Sequence, residues 1–143
     1  MSVPWKPVTH GDFVTLEKVQ ANPYYHACFI IESGCNPLAT TTQSTAQGAF
    51  QLIRSTRKAL GVKDGLDFTE NFRGFVKLTE QNMKAFRTND PLVLYSAHYL
   101  GATLLRRYKK GEKLSVNQKD IVDTFFKKIL PRFKKIYEQL TKT

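Results

Sequence analysis

A chain of 143 residues, 41% hydrophobic and 24% charged, is one domain by length and long enough to bury a core. Ten Phe, six Tyr and one Trp exclude a disordered chain, and no apolar run reaches the roughly 20 residues that a membrane-spanning helix needs. A net charge of +10 favours polyanionic surroundings: nucleic acid, acidic membrane or bacterial wall polymers.

The stretch to His10 carries two prolines and reads as an irregular arm, with Trp5 as its packing residue. Met1 to Phe13 has no basic segment followed by an apolar one, so the expectation is a chain made in the cytoplasm without a secretory signal. Asp12 to Gln20 suits a short helix. Asn22-Pro23 reads as the start of the next, with Pro at the first helical position, where its missing N–H costs little. This helix runs through Tyr25, Phe29 and Ile30 and stops near Gly34. Asn36 to Thr45, rich in Thr, Asn, Ser and Pro, is extended or turn-rich, and its Thr content permits short irregular strands.

Ala49 to Leu60 reads as a helix stopped by Gly61, and Phe72, Phe75, Val76, Met83 and Phe86 fall near helical spacing despite Gly74. Asp90-Pro91 is the clearest helix start, an N-cap followed by Pro; that helix carries Leu94, Tyr95, His98, Leu104 and Leu105 as far as Tyr108. A last segment follows Ser115, with Ile121, Val122, Phe125, Phe126, Ile129 and Phe133 as its apolar face and Pro131 expected to kink or divide it. The expectation is a mainly α protein, a single domain over 1–143, with a small irregular or β patch after the helix that ends at Glu32.

Two side-chain types bound the chemistry. Cys28 and Cys35 lack metal-type spacing, and reduced thiols are expected rather than a disulfide. His10 and His26 have no partners at ligand spacing, so no metal and no cofactor are assigned. Tyr24 and Tyr25 suit core packing, although aromatic faces also stack on sugars.

The charge is uneven: from Ala102 to Thr143 there are twelve Lys or Arg against four acids. The basic amphipathic segment at about 115–140 has three readings. It is a packed final helix with a solvated Lys face, a surface for anionic wall polymers or membrane, or a nonspecific attractor of nucleic acid. No nucleic-acid motif is present, so no specific nucleic-acid partner is expected.

Ile30-Ile31-Glu32-Ser33-Gly34 places one carboxylate after an apolar run at a helix end. A solvated Glu is the ordinary occupant of such a position. The helix C-terminus and apolar neighbours both disfavour the ionised form, which suits a general acid.

Three blocks then carry a resemblance. Glu32-Ser33-Gly34-Cys35-Asn36-Pro37-Leu38-Ala39, Ser44-Thr45-Ala46-Gln47-Gly48-Ala49-Phe50-Gln51, and Tyr95-Ser96-Ala97-His98-Tyr99-Leu100-Gly101 occur in that order. Together they resemble the lysozyme-like lytic transglycosylases, in their phage-type form. Thr45 stands where many members have Gly, and Tyr99 where the wider family has Asn.

The resemblance implies a lysozyme-like catalytic domain that cleaves peptidoglycan, with Glu32 as catalytic acid and base. It implies that Ser33 orients the carboxylate or a sugar hydroxyl and that Gln51 lines the sugar cleft. Tyr95 would face the catalytic Glu, and His98 is a cleft or structural residue, although a lone His on an amphipathic helix is ordinarily a packed one. The implied partner is bacterial peptidoglycan, met by a monomer or a virion component at entry or at lysis.

A hydrolase ordinarily needs two carboxylates about 5 to 9.5 Å apart, yet no Asp or Glu occurs between Glu32 and Asp64. A lytic transglycosylase manages with one. Hydrolytic muramidase and a non-catalytic glycan- or DNA-binding virion protein remain the alternatives.

Overall fold

The structure, a computed structural model, describes residues 16–142. The expected N-terminal arm, with Trp5 and His10, lies outside the described residues. About two thirds of the described residues are helical and none forms a strand, so the protein is mainly α. No described helix is long and apolar enough to cross a membrane. The chain groups into two units, one up to Leu78 and one from Thr79 onward.

The first unit begins with α1 (Leu16–Ala21), the described part of the expected first helix, which packs against α2 (Pro23–Ser33). Asn22 caps α2: its side-chain oxygen accepts the N–H groups of Tyr24 and Tyr25 at 3.0 and 3.3 Å, and Pro23 fills the first position. At the other end Gly34 adopts φ 61°, and the N–H groups of Gly34 and Cys35 return to the carbonyls of Ile30 and Phe29.

The expected helix from Ala49 is shorter than its sequence suggests. Only α3 (Arg54–Leu60) is helical, ended by Gly61 at φ 74°. Residues before it are diverted because Phe50 N–H bonds Asn71 Oδ1 at 3.0 Å and Gln51 sits at φ 50°. Between the two helices lies the expected irregular patch, reduced to two antiparallel bridges, Thr40 with Gln47 and Gln47 with Leu52.

Helix α4 (Phe68–Phe86) starts in this unit and continues past its boundary. Its first half closes an aromatic core. Phe50 stacks on Phe75 with centroids 4.4 Å apart, and Tyr25 meets Phe72 edge-on at 5.0 Å. Tyr24 and Tyr25 are buried here, so packing claims them rather than a sugar cleft. Gly74 lies where α4 passes Val62, and a Cβ there would run into a Val62 methyl. Gly74→Ala is therefore expected to destabilise the fold by about 1–3 kcal/mol despite the better helix propensity of Ala, measurable as a lower urea midpoint.

In the second unit Asp90 caps α5 (Pro91–Leu100), accepting the N–H of Leu92 at 2.9 Å. The helix expected to run on to Tyr108 breaks at Gly101, whose φ 83° and ψ 146° suit glycine alone. A separate helix, α6 (Ala102–Lys109), follows and packs against α5. Helix α7 (Val116–Thr124) opens with a capping box between Ser115 and Gln118.

Around Pro131 the last segment stays helical but changes its winding. A π-helical turn, Phe125–Ile129, carries α7 into α8 (Leu130–Leu140), and Leu130 N–H bonds the carbonyl of Phe125. The wider turn accommodates a ring that would clash with the carbonyl four residues back and cannot donate to it. Val122, Phe125 and Phe133 face inward as expected, while Ile121 is exposed.

Candidate active site

Glu32 stands in the last turn of α2, half-buried. The helix cannot continue beyond it, since Gly34 and then Cys35, at φ 61° and 63°, both adopt left-handed backbone. The 35–53 loop begins here.

The loop is tied back by a continuous hydrogen-bond network. Ser33 Oγ donates to the Phe29 carbonyl at 3.1 Å and accepts the Asn36 N–H at 3.2 Å. Asn36 Oδ1 accepts the N–H of Leu38, and Asn36 O accepts that of Ala39. The Ala39 carbonyl then receives Gly48 N–H at 2.8 Å and Gln51 Nε2 at 3.1 Å. Gln51 Nε2 also donates to the Gly48 carbonyl at 2.9 Å. Ser33, Asn36, Ala39, Gly48 and Gln51 are thus one linked structure. Ser33 shapes the turn after Glu32, and Gln51 clamps both sides of the loop through its amide nitrogen.

Two residues that sequence reasoning missed hold this loop from beneath. Asn71, fully buried on α4, receives Phe50 N–H and donates at 2.9 Å to the carbonyls of both Gln47 and Gly65. Its sequence signal is a polar residue inside the apolar stripe of α4, four residues before Phe75. Gly48 leaves the space that Asn71 needs, for a Cβ there would strike the Gly65 carbonyl and the Asn71 amide. Arg57 donates from one guanidinium nitrogen to the carbonyls of Thr45, at 2.6 Å, and Leu52. Nothing in its local sequence signals this.

The acidic residues next in the chain are committed elsewhere. Asp64 accepts Leu66 N–H, Asp67 accepts Glu70 N–H, and Glu70 accepts the N–H groups of Lys63 and Asp64. All three build the turn that leads into α4.

Cys28 lies one helical turn before Glu32 and is fully buried, whereas Cys35 is exposed; both are free thiols. Burial, then the Glu32 carboxylate, holds the Cys28 thiol well above its ordinary range, against a hydrogen bond with Tyr24. Iodoacetamide at neutral pH is therefore expected to modify one thiol in the native protein and two in urea, counted by intact mass. Because the folded state holds the Cys28 proton more tightly than the unfolded chain, this group's contribution to stability declines as pH rises past 9.0, the thiol's ordinary value.

Tyr95 and His98 belong to the second unit. Tyr95 is fully buried, stacked on Phe133 with centroids 4.3 Å apart, so no face of its ring is open to a sugar. His98 is half-buried, its ring 6.0 Å from that of Tyr95. Exposed Tyr99 stacks on Phe125 at 4.9 Å. Among the described residues no group of His, Cys, Asp or Glu is arranged to hold a metal ion.

Glu32 thus stands at the head of a loop braced by hydrogen bonds. A scan against protein-family models and a search of curated proteins returned no match to this chain.

Proposed function

We propose that this protein is a lytic transglycosylase that cuts the MurNAc–GlcNAc β-1,4 bond of peptidoglycan, with Glu32 as its acid and base. The supporting observation is the setting of Glu32: half-buried at the end of α2, heading a loop whose motif residues are one hydrogen-bonded network. The three sequence blocks that resemble the lytic transglycosylases supply the reaction, and the Ala97-His98-Tyr99-Leu100-Gly101 block points to a phage-type enzyme.

In the proposed reaction the protonated Glu32 donates to the bridging oxygen. The C1–O bond breaks and the GlcNAc side leaves as an alcohol. The N-acetyl group of MurNAc supports the cationic carbon, the task a second carboxylate performs in a hydrolase. Glu32, now ionised, takes the proton from the C6 hydroxyl as that oxygen bonds to C1. The product is a 1,6-anhydro end, no water is consumed, and Glu32 is again protonated. The engagement of Asp64, Asp67 and Glu70 in their own turn favours this one-carboxylate route over hydrolysis.

Mass spectrometry of fragments released from purified peptidoglycan tests the reading. Anhydro-MurNAc ends are expected. Reducing MurNAc ends would replace the transglycosylase with a muramidase, and no release from folded protein on varied peptidoglycans would remove the enzyme.

A further inference from the structure

We propose that the hollow between α6 and α7 is a second sugar site, which holds an uncharged N-acetylhexosamine unit. The lining selects a neutral, hydroxyl-rich ligand; that this ligand is a unit of a glycan strand rests on the peptidoglycan reading above.

The hollow encloses about 400 Å³, within the range of roughly 300–1,000 Å³ over which small-ligand pockets fall. Its walls are Tyr108 in the last turn of α6, the turn at 112–114, and the face of α7 that carries Lys119, Val122 and Asp123 at helical spacing. These walls are fixed. Phe126, from the π turn, stacks on Tyr108 at 5.0 Å, and Tyr108 is still 44% exposed, so the ring is backed on one face and open on the other. Arg107 holds the turn: its Nη2 donates to the Lys113 carbonyl at 2.7 Å, its Nε pairs with Glu112 at 3.5 Å, and the Glu112 N–H returns to the Arg107 carbonyl at 3.0 Å. The capping box of Ser115 and Gln118 sets where α7 begins. A site built before its ligand arrives loses less ordering entropy on binding.

The chemistry of the lining discriminates between ligands. Two acids, Glu112 and Asp123, are matched by two bases, Lys113 and Lys119, so the hollow is formally neutral in a protein of charge +10. A phosphate or other anion would have to settle beside both carboxylates, which repel it. Hydroxyl groups suit such a lining, because carboxylates accept from them and ammonium groups donate to hydroxyl and amide oxygens. The open face of Tyr108 is the flat apolar surface on which the C–H face of a pyranose lies, and Leu114 and Val122 offer apolar cover for an N-acetyl methyl. An alanine-type zwitterion would match the charges, but it has no flat face for Tyr108.

The test titrates the full chain with tri-N-acetylchitotriose and follows amide resonances by nuclear magnetic resonance. The amides of Leu114, Lys119 and Val122 are expected to shift and saturate, with little dependence on salt. Tyr108→Ala is expected to weaken binding read at these amides by about tenfold, the size of one lost aromatic contact. Asp123→Ala, at an exposed position that leaves the core closed, is expected to weaken it by a similar factor of about ten, through one lost hydrogen bond to a charged acceptor. No saturating shift at these amides, or the same affinity in both variants, overturns the inference. A steep fall in affinity with salt overturns it in favour of an anion site, and stronger shifts with the dipeptide D-alanyl-D-alanine overturn it in favour of a peptide site. Sugar binding here by a protein that releases no peptidoglycan fragments would leave this inference standing and remove the enzyme reading. Fragment release with these amides silent would do the reverse, so the two fail separately.

Discussion

Glu32→Gln is expected to reduce fragment release from peptidoglycan by about 10³-fold or more, with no change in fold or in affinity for glycan strands. Gln keeps the shape of the side chain and its capacity to hydrogen-bond, but it neither donates nor receives the proton that the reaction moves twice. General acid–base catalysis by a positioned group contributes roughly 10²- to 10⁴-fold, and here one group serves both half-reactions. A 10³-fold loss corresponds to about 4 kcal/mol of transition-state stabilisation. The measurement is the initial rate of soluble fragment release, alongside circular dichroism and sedimentation with insoluble peptidoglycan. Retained activity would exclude Glu32 as the proton carrier. Lost activity together with lost glycan binding would show that Gln had damaged the site rather than its chemistry.

Asn71→Ala has the second largest expected effect, on stability and on activity together. The substitution strands the N–H of buried Phe50 and the buried Gly65 carbonyl, and it takes one of two donors from the Gln47 carbonyl, which keeps the Leu52 N–H. Leaving buried polar groups unpaired costs about 1–3 kcal/mol for each, and local relaxation recovers part of that, so a loss of about 3 kcal/mol is expected in urea unfolding. The same change loosens a loop also tethered by Gln51 and Arg57, so hydrogen exchange at the Phe50 amide should quicken well beyond the rate set by global unfolding. A stability loss below about 1 kcal/mol, with Phe50 exchange unchanged, would mean that Asn71 does not brace the loop.

The parts of this fold that were legible in the sequence are those decided within a few residues. Asn22-Pro23 and Gly34 bound α2 because a cap, a first-position proline and a left-handed glycine each act locally. Asp90-Pro91 and Ser115 start α5 and α7 for the same reason. The misreadings come from distance. Ala49 to Ile53 has helical composition, but its backbone is claimed by Asn71, 21 residues beyond Phe50. The apolar spacing through Leu104 runs on past Gly101, whose backbone angles take the chain out of the helix there.

The candidate site divides in the same way. Glu32 and the turn behind it follow from a run of eight residues, Glu32 to Ala39. The clamp role of Gln51 needed the loop to be closed before it could be seen. Nothing near Arg57 in the sequence shows that its guanidinium reaches Thr45 and Leu52. The burial of Tyr95 against Phe133 depends on a contact across 38 positions of sequence.

The π turn at Phe125–Ile129 sets the compass bearing of everything after it. In a regular α-helix two residues eight positions apart point about 80° away from each other. Phe125 and Phe133 are eight apart, yet both reach the ring of Tyr95, at 5.9 and 4.3 Å. The single wide turn acts as one extra residue that takes no share of the rotation, which brings the two rings back into phase. Winding the same residues as a regular α-helix, with none deleted, would rotate α8 by about 100°. Phe133 and Tyr137 would swing out of the core and the lysines would swing toward it. A five-residue irregularity in the backbone thus decides which side of the last helix is oil and which is charge.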